Sequence, residues 1–134
     1  TIDLINYKDR LISPYHPRQI FVYEGDNDIG YQWTPDEILE QMKRLFFILR
    51  KEKSEAEIIF ISIKPSVRRL KDKERIEQTN ALIKEFVEQQ TNTAYADVYN
   101  PMFTAKGEHY REDGLHLTAE GYAVWKEVIS KYIK

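Results

Sequence analysis

The chain has no cysteine, no long apolar run and no serine in a familiar nucleophile motif. Without cysteine it cannot form disulfides, thiolate metal sites or a cysteine nucleophile, although this does not identify a cellular compartment. No apolar run reaches the roughly 18 residues of a membrane-spanning helix, and no signal-peptide pattern is evident. The five serines (Ser13, Ser54, Ser62, Ser66 and Ser130) all lie outside Gly-x-Ser-x-Gly and Gly-Asp-Ser settings. We therefore expect no membrane span and leave localisation open.

Charge and composition indicate one globular domain. Of the 134 residues, 42% are hydrophobic and 31% are charged, and the formal net charge is −2, which excludes a disordered chain. This balance gives no electrostatic footprint for nucleic acid, so we expect no such partner. A local basic stretch is interpreted as a solvated loop and helix start; it comprises Lys64, Arg68, Arg69, Lys71 and Lys73.

Strand and helix patterns alternate along the chain. Apolar runs predict buried strands over residues 19–23, 57–63 and 94–98. Helices are predicted over residues 2–12, from the cap Thr34, over 72–89, and from Thr118. Two of these helices have inward stripes, which are Ile38, Met42, Leu45 and Leu49, and then Ile76, Ile83, Phe86 and Val87. The last helix carries an apolar stripe of Tyr122, Trp125, Ile129 and Tyr132. Such alternation predicts a three-layer α/β domain with a parallel sheet and right-handed crossovers.

Two groups of polar residues stand out against this framework. Gly25, Asn27 and Asp28 follow the first predicted strand, and open α/β sheets bind ligands at the carboxyl ends of their strands. Asp113 and His116 lie together on a loop before the final helix, where His116 can act as a general base that Asp113 orients.

Each of these residues also has a structural interpretation. Asp113 could be a loop or N-cap carboxylate, and Asn27 could hold its turn through bonds from side chain to backbone. The other histidines, His16 and His109, are interpreted as structural or exposed. His116 differs from them because Asp113 lies three residues before it.

Together, Gly25-x-Asn27-Asp28 and Asp113-x-x-His116 resemble the third and fifth sequence blocks of the SGNH (GDSL-like) hydrolases, over essentially the whole chain. The resemblance implies a three-layer, flavodoxin-like fold and a serine esterase that needs no cofactor. It implies that Asn27 donates to the oxyanion and that Asp113 and His116 complete a triad with a serine. Asp28 would fix the loop, and Gly25 would provide the backbone geometry near the substrate.

Two blocks of that family are not found in this sequence, namely the Gly-Asp-Ser block and the glycine of the second block. The segment from Thr1 to Ile5 resembles the residues that follow the second block. We therefore expect residues 1–134 to be the C-terminal portion of one SGNH domain that retains three contiguous strands of five. The strand over 19–23 would then be an edge, associated with the missing N-terminal segment or with a second copy.

The substrate class is left open by the sequence. Tyr31 and Trp33 could line an acyl or sugar pocket, or simply pack. A small ester or an acetylated carbohydrate is favoured, followed by lysophospholipid-like lipids. The acidic string Glu24, Asp26 and Asp28 lacks the register of a calcium loop, so no metal site is expected. A non-catalytic binding module on the same fold is the alternative function.

Overall fold

A computed structural model describes residues 1–6, 14–104 and 109–134, whose strands form one parallel sheet. The strands are β1 (Gln19–Val22), β2 (Glu57–Ile61) and β3 (Thr93–Ala96), with β2 in the centre. The predicted parallel pairing is confirmed. Each strand ends one or two residues earlier than predicted. After β3 the cause is visible, because the Val98 and Tyr99 N–H groups donate to the Ser62 hydroxyl at 2.9 and 3.0 Å instead of to a strand.

Most predicted helices form where the sequence indicates. The helices are α1 (Ile2–Asn6), α2 (Asp26–Gly30), α3 (Pro35–Glu52), α4 (Lys73–Glu88), α5 (Tyr99–Thr104) and α6 (Ala119–Ser130), and a 3₁₀ turn (Leu70–Asp72) precedes α4. The predicted capping box of α3 is confirmed, since Thr34 accepts from the Glu37 N–H and Glu37 accepts from the Thr34 N–H. Of the helix predicted over residues 2–12, residues 7–12 lie outside the described residues.

The sheet has an apolar layer on each face. Ile58 and Phe60 of β2 belong to the cluster that contains the buried side chains of α3 and α4. Ile59 and Ile61 belong to a second cluster, which includes Val128 of α6. Because successive strand residues point to opposite faces, this division establishes the predicted three-layer α/β fold.

The apolar stripe predicted for α6 is only partly buried. Tyr122 is exposed, whereas Trp125 and Ile129 pack against the core as expected. Gly121 is the residue of the first turn that faces inward, against the His109 carbonyl. Successive helical residues are about 100° apart, so Tyr122 lies at the margin of the buried stripe.

No helix in the described part of the chain combines the length and apolar character that crossing a bilayer would require.

Candidate active site

Gly25 turns the chain from β1 into α2. Its φ of 104° is in the left-handed region that favours glycine, and a Cβ there would lie 2.8 Å from Cδ1 of Ile63. The Ile29 N–H donates back to the Gly25 carbonyl at 2.9 Å. Asn27 therefore lies on the first turn of a five-residue helix, where a loop was predicted, and it is exposed.

Four of the predicted site residues, but not Gly25, line one pocket beside α2. The pocket has a volume of about 370 Å³ and includes Asn27, Asp28, Tyr31 and Trp33. Tyr31 is 75% exposed, while Trp33 is half-buried and also packs against the core. Asp28 is buried and accepts a hydrogen bond from the Thr1 hydroxyl. The Asp28 carboxylate is thus bonded to Thr1 and is not free.

The second half of the site is the turn that carries Asp113 and His116. One Asp113 oxygen is bonded to Nδ1 of His116, and the other accepts from the backbone N–H groups of Leu115 and His116 at 2.9 Å each. The His116 side chain is 68% exposed. Because Nδ1 is occupied, Nε2 is the ring nitrogen that can exchange a proton with a substrate.

Hydrogen bonding stabilises the charged form of Asp113. The bond with His116, followed by the two backbone N–H groups, holds the pKa of the Asp113 carboxyl well below its ordinary value. Asp113 is therefore an anion at neutral pH. An anion at this position fixes the ring orientation and stabilises the imidazolium that forms when Nε2 takes a proton.

Residues 64–69, which we call the 64–69 segment, support the Asp113–His116 turn. The Arg68 N–H donates to the Gly114 carbonyl at 2.9 Å, and the Tyr110 hydroxyl donates to the Pro65 carbonyl. Tyr110 also forms an isolated antiparallel bridge with Leu117. The turn is thereby held from both sides.

The 64–69 segment also forms ion pairs with the first residue of α2. Lys64 Nζ lies 2.9 Å from one Asp26 oxygen, and Arg69 Nε lies 2.7 Å from the other. Burial opposes ionisation of Asp26, but these two cations outweigh it and lower its pKa below the usual value. The interpretation of Lys64 and Arg69 as a solvated stretch is therefore wrong, because Lys64 is buried and both side chains form internal ion pairs.

The structure joins the two halves of the site indirectly. Asp113 and His116 are in direct contact, and Asn27 shares its pocket with Asp28, Tyr31 and Trp33. The 64–69 segment bonds to Gly114, within the turn of Asp113 and His116, and to Asp26, within the helix that carries Asn27. That Asn27 and His116 act on one substrate carbonyl stays a prediction.

The contacts of Asp26 leave little trace in the amino-acid sequence. In Gly25-x-Asn27-Asp28 it occupies the variable position, and its cationic partners lie 38 and 43 residues further along the chain. The only available signal was a basic stretch after a strand, at the same end of the sheet as Asp26.

Most of the serines have structural roles. Ser62 is buried and accepts two backbone N–H bonds, Ser66 is buried and accepts from the backbone N–H three residues on, and Ser130 donates to its own helix. Ser54 is exposed in a turn, and Ser13 lies outside the described residues. Three serines thus use their hydroxyls to hold the fold.

Metal binding finds no support in this region. Among the described residues, no group of three or more His, Asp or Glu side chains is arranged to hold a metal ion. The absence of a metal or cofactor stays a prediction.

Several solved structures share this fold. A family 3 carbohydrate esterase from Clostridium thermocellum aligns with a TM-score of 0.77 at 19% identity, covering 98% of this chain and 65% of that one. A Geobacillus acetyl-xylooligosaccharide esterase gives 0.79 at 15% identity, with coverages of 97% and 65%. A GDSL-like lipase from Bacteroides thetaiotaomicron gives 0.75 at 20% identity, with coverages of 96% and 67%. The chain thus spans about two thirds of the length of these proteins.

This chain covers a smaller share of a relative found by sequence. The N-acylneuraminate cytidylyltransferase of Escherichia coli O18:K1:H7 is 25% identical over 117 residues, which are 86% of this chain and 28% of that protein.

Residues 3–124 match the sequence pattern of the GDSL-like Lipase/Acylhydrolase family. That span includes Gly25-x-Asn27-Asp28, the Asp113–His116 pair and all three strands. The chain therefore belongs to the GDSL-like lipase/acylhydrolase family.

Proposed function

We propose that this chain supplies the general base, its orienting carboxylate and one oxyanion donor of a serine ester hydrolase. The observation that carries this proposal is the bonded pair of Asp113 and His116, which leaves Nε2 available for proton transfer. Membership of the GDSL-like family supports the same reaction class.

The reaction is acyl transfer to water. A serine hydroxyl attacks the ester carbonyl and gives its proton to Nε2 of His116, while Asn27 donates to the oxygen on which negative charge develops. His116 then returns the proton to the leaving alcohol as the C–O bond breaks. In the second half, His116 takes a proton from water as the water oxygen attacks the acyl carbonyl, and it returns that proton to the serine oxygen as the bond between the serine and the acyl group breaks and the acid leaves. The serine belongs to a Gly-Asp-Ser block, which we place outside these 134 residues.

The pocket beside Asn27 favours a small ester or an acetylated carbohydrate. Its lining combines the aromatic side chains of Tyr31 and Trp33 with polar groups, which include Glu24. Sugars need hydrogen-bond partners for their hydroxyls and a flat surface for their C–H faces. The ester's acetyl group would face Asn27, and the sugar would occupy the remaining space.

A second surface favours a lipid-like substrate instead. Val67, Leu70 and Phe103 are 65%, 65% and 53% exposed, and they line an apolar groove of about 170 Å³ beside Tyr110. A lysophospholipid acyl chain would occupy this groove. Phe103→Ala would then reduce hydrolysis of an octanoyl ester and spare an acetyl ester, whereas an acetylesterase would lose neither.

The decisive assay follows hydrolysis of nitrophenyl acetate by the longest natural form of the protein that contains this chain. We expect His116→Ala to lower kcat by several orders of magnitude and Asn27→Ala by about 10²–10³, because other oxyanion donors remain. His16→Ala is the matched control, since His16 is exposed and lies before β1, and it should keep wild-type activity.

Two outcomes would contradict the proposal. Near-wild-type kcat/KM in both His116→Ala and Asn27→Ala would remove the hydrolase assignment and favour a binding module. Hydrolysis by the 134-residue chain alone, abolished by a serine-directed phosphonate, would show that the nucleophile is one of its own serines.

A further inference from the structure

Asp26 is the residue that the Gly25-x-Asn27-Asp28 pattern leaves unspecified. Its side chain is only 16% exposed and pairs with two cations, Lys64 at 2.9 Å and Arg69 at 2.7 Å. The Tyr23 hydroxyl donates to it as well, at 3.3 Å. Asp26 therefore has three polar partners and is the neighbour of Asn27 in the chain.

The other end of α2 is also held by a cation. The Arg75 guanidinium donates to the carbonyls of Trp33 at 2.7 Å and Ile29 at 2.9 Å. It is itself fixed by the buried carboxylate of Asp72 at 2.7 Å. The helix that carries Asn27 is therefore anchored at both ends by residues 64–75.

Such anchoring matters because α2 has only five residues. Helices shorter than about 12 residues are marginal on their own, so tertiary contacts determine where this one lies. An oxyanion donor must lie about 2.7–3.1 Å from the developing charge, and small displacements reduce its effect. Hydrogen bonds to charged groups are the strong ones available for holding such a position.

We propose that Asp26, Lys64 and Arg69 form a positioning cluster that fixes Asn27 for catalysis. The cluster does not contact the substrate; it sets the orientation of the helix whose Asn27 does. The catalytic part of this proposal rests on the proposed esterase function, whereas the anchoring of α2 does not.

Asp26 is the anion of the cluster, and its charge favours the neutral forms of Tyr23 and Tyr110. Burial, followed by the charge of Asp26, raises the pKa of Tyr110 to about 12. The same two causes raise the pKa of Tyr23. Both phenols are therefore neutral at physiological pH, and the two cations have Asp26 as their shared partner.

Backbone hydrogen exchange in the 134-residue chain tests the anchoring without any assay of activity. Arg69→Met should speed exchange of the Ile29, Tyr31 and Trp33 amides, which close the turns of α2, by at least tenfold. Amides within α3 should exchange at the wild-type rate. Lys71→Met is the matched control, because Lys71 is exposed in the same region and its loss should leave α2 unchanged.

The exchange experiment can overturn the proposal. Unchanged rates in α2 for Arg69→Met would show that the cluster does not position this helix. If Arg69→Met unfolds the chain, Asp26→Asn provides the same test with a side chain of nearly the same shape. Faster exchange spread evenly over α2 and α3 in Asp26→Asn would indicate general destabilisation and contradict a positioning role.

Steady-state kinetics test the catalytic consequence. Asp26→Asn should lower kcat about tenfold to hundredfold with KM within about twofold, because Asn27 acts on the transition state. In an Asn27→Ala background, Asp26→Asn should cause no further loss, since both changes remove the same contribution. Additive losses would contradict the proposal. If the wild-type protein hydrolyses no ester, the proposed function fails, while the exchange rates still decide the anchoring.

Discussion

Asp113 concentrates several interactions on one small side chain. It receives the His116 ring on one oxygen and two backbone N–H groups on the other, although both side chains are exposed. Interactions between exposed charges are normally weak, since water and salt screen them. Here the bonds lie within one four-residue turn, whose Gly114 carbonyl also accepts from the Arg68 N–H of the 64–69 segment.

The pKa of Asp113 gives a direct prediction. Because the bonds from His116, Leu115 N–H and His116 N–H favour the anion, its carboxyl should titrate below the value of about 3.9 for a free aspartate. A carbon NMR titration measures the midpoint, and His116→Ala should raise it. A midpoint at or above the free value would contradict the bonding pattern.

The low pKa of Asp113 makes the stability of the folded chain depend on pH. The pKa of Asp113 is lower in the folded chain than in the unfolded one. Its contribution to the turn is therefore present above the unfolded value and is lost as the pH falls through the folded value. Acid should thus weaken the turn.

The two key residue pairs differ in how far sequence could predict them. Asp113 and His116 are three positions apart, so one motif identifies both and their contact. Asp26 and Arg69 are separated by 43 residues, and only the packed sheet brings them together. Sequence patterns indicate residue types at local spacings, and a buried ion pair between distant loops leaves no such pattern.

At the level of elements, α3 shows how strong local signals are. Its N-cap, its proline and all four predicted inward residues are confirmed. The missed helices, α2 and α5, have five and six residues. They are too short to display a helical period and depend on contacts with other segments.

The capping box of α3 should contribute measurably to the free energy of unfolding. Thr34→Ala removes the oxygen that accepts from the Glu37 N–H at 3.2 Å, and should lower the free energy of unfolding by about 1 kcal/mol. Urea denaturation measures the change. Thr91→Ala, at an exposed site outside the helices, is the control, and an equal loss in both variants would argue against the cap.

At the level of the whole molecule, alternation of strands and helices predicted the sheet. Parallel pairing and the order β1-β2-β3 both follow the chain, with an apolar cluster on each face. In the described part of the chain, β1 pairs with one strand only, which is β2. Phe21 of β1 is half-buried there.

This edge predicts association of the 134-residue chain. An edge strand offers backbone groups to another strand, so we expect sedimentation velocity to show dimers or larger species as concentration rises. A segment that pairs with β1 in a longer form of the protein should suppress them. A monomer at every concentration in the micromolar to millimolar range would contradict the prediction.

The anchoring of α2 by residues 64–75 has a consequence for biosynthesis. Asp26 leaves the ribosome 43 residues before Arg69, and Ile29 leaves it 46 residues before Arg75. At about 5–20 residues per second, the nascent chain carries Asn27 on an untethered segment for roughly 2 to 9 seconds. During this interval the helix that carries Asn27, the proposed oxyanion donor, lacks the contacts that anchor it, and these form only when the second strand and its following helix have been synthesised.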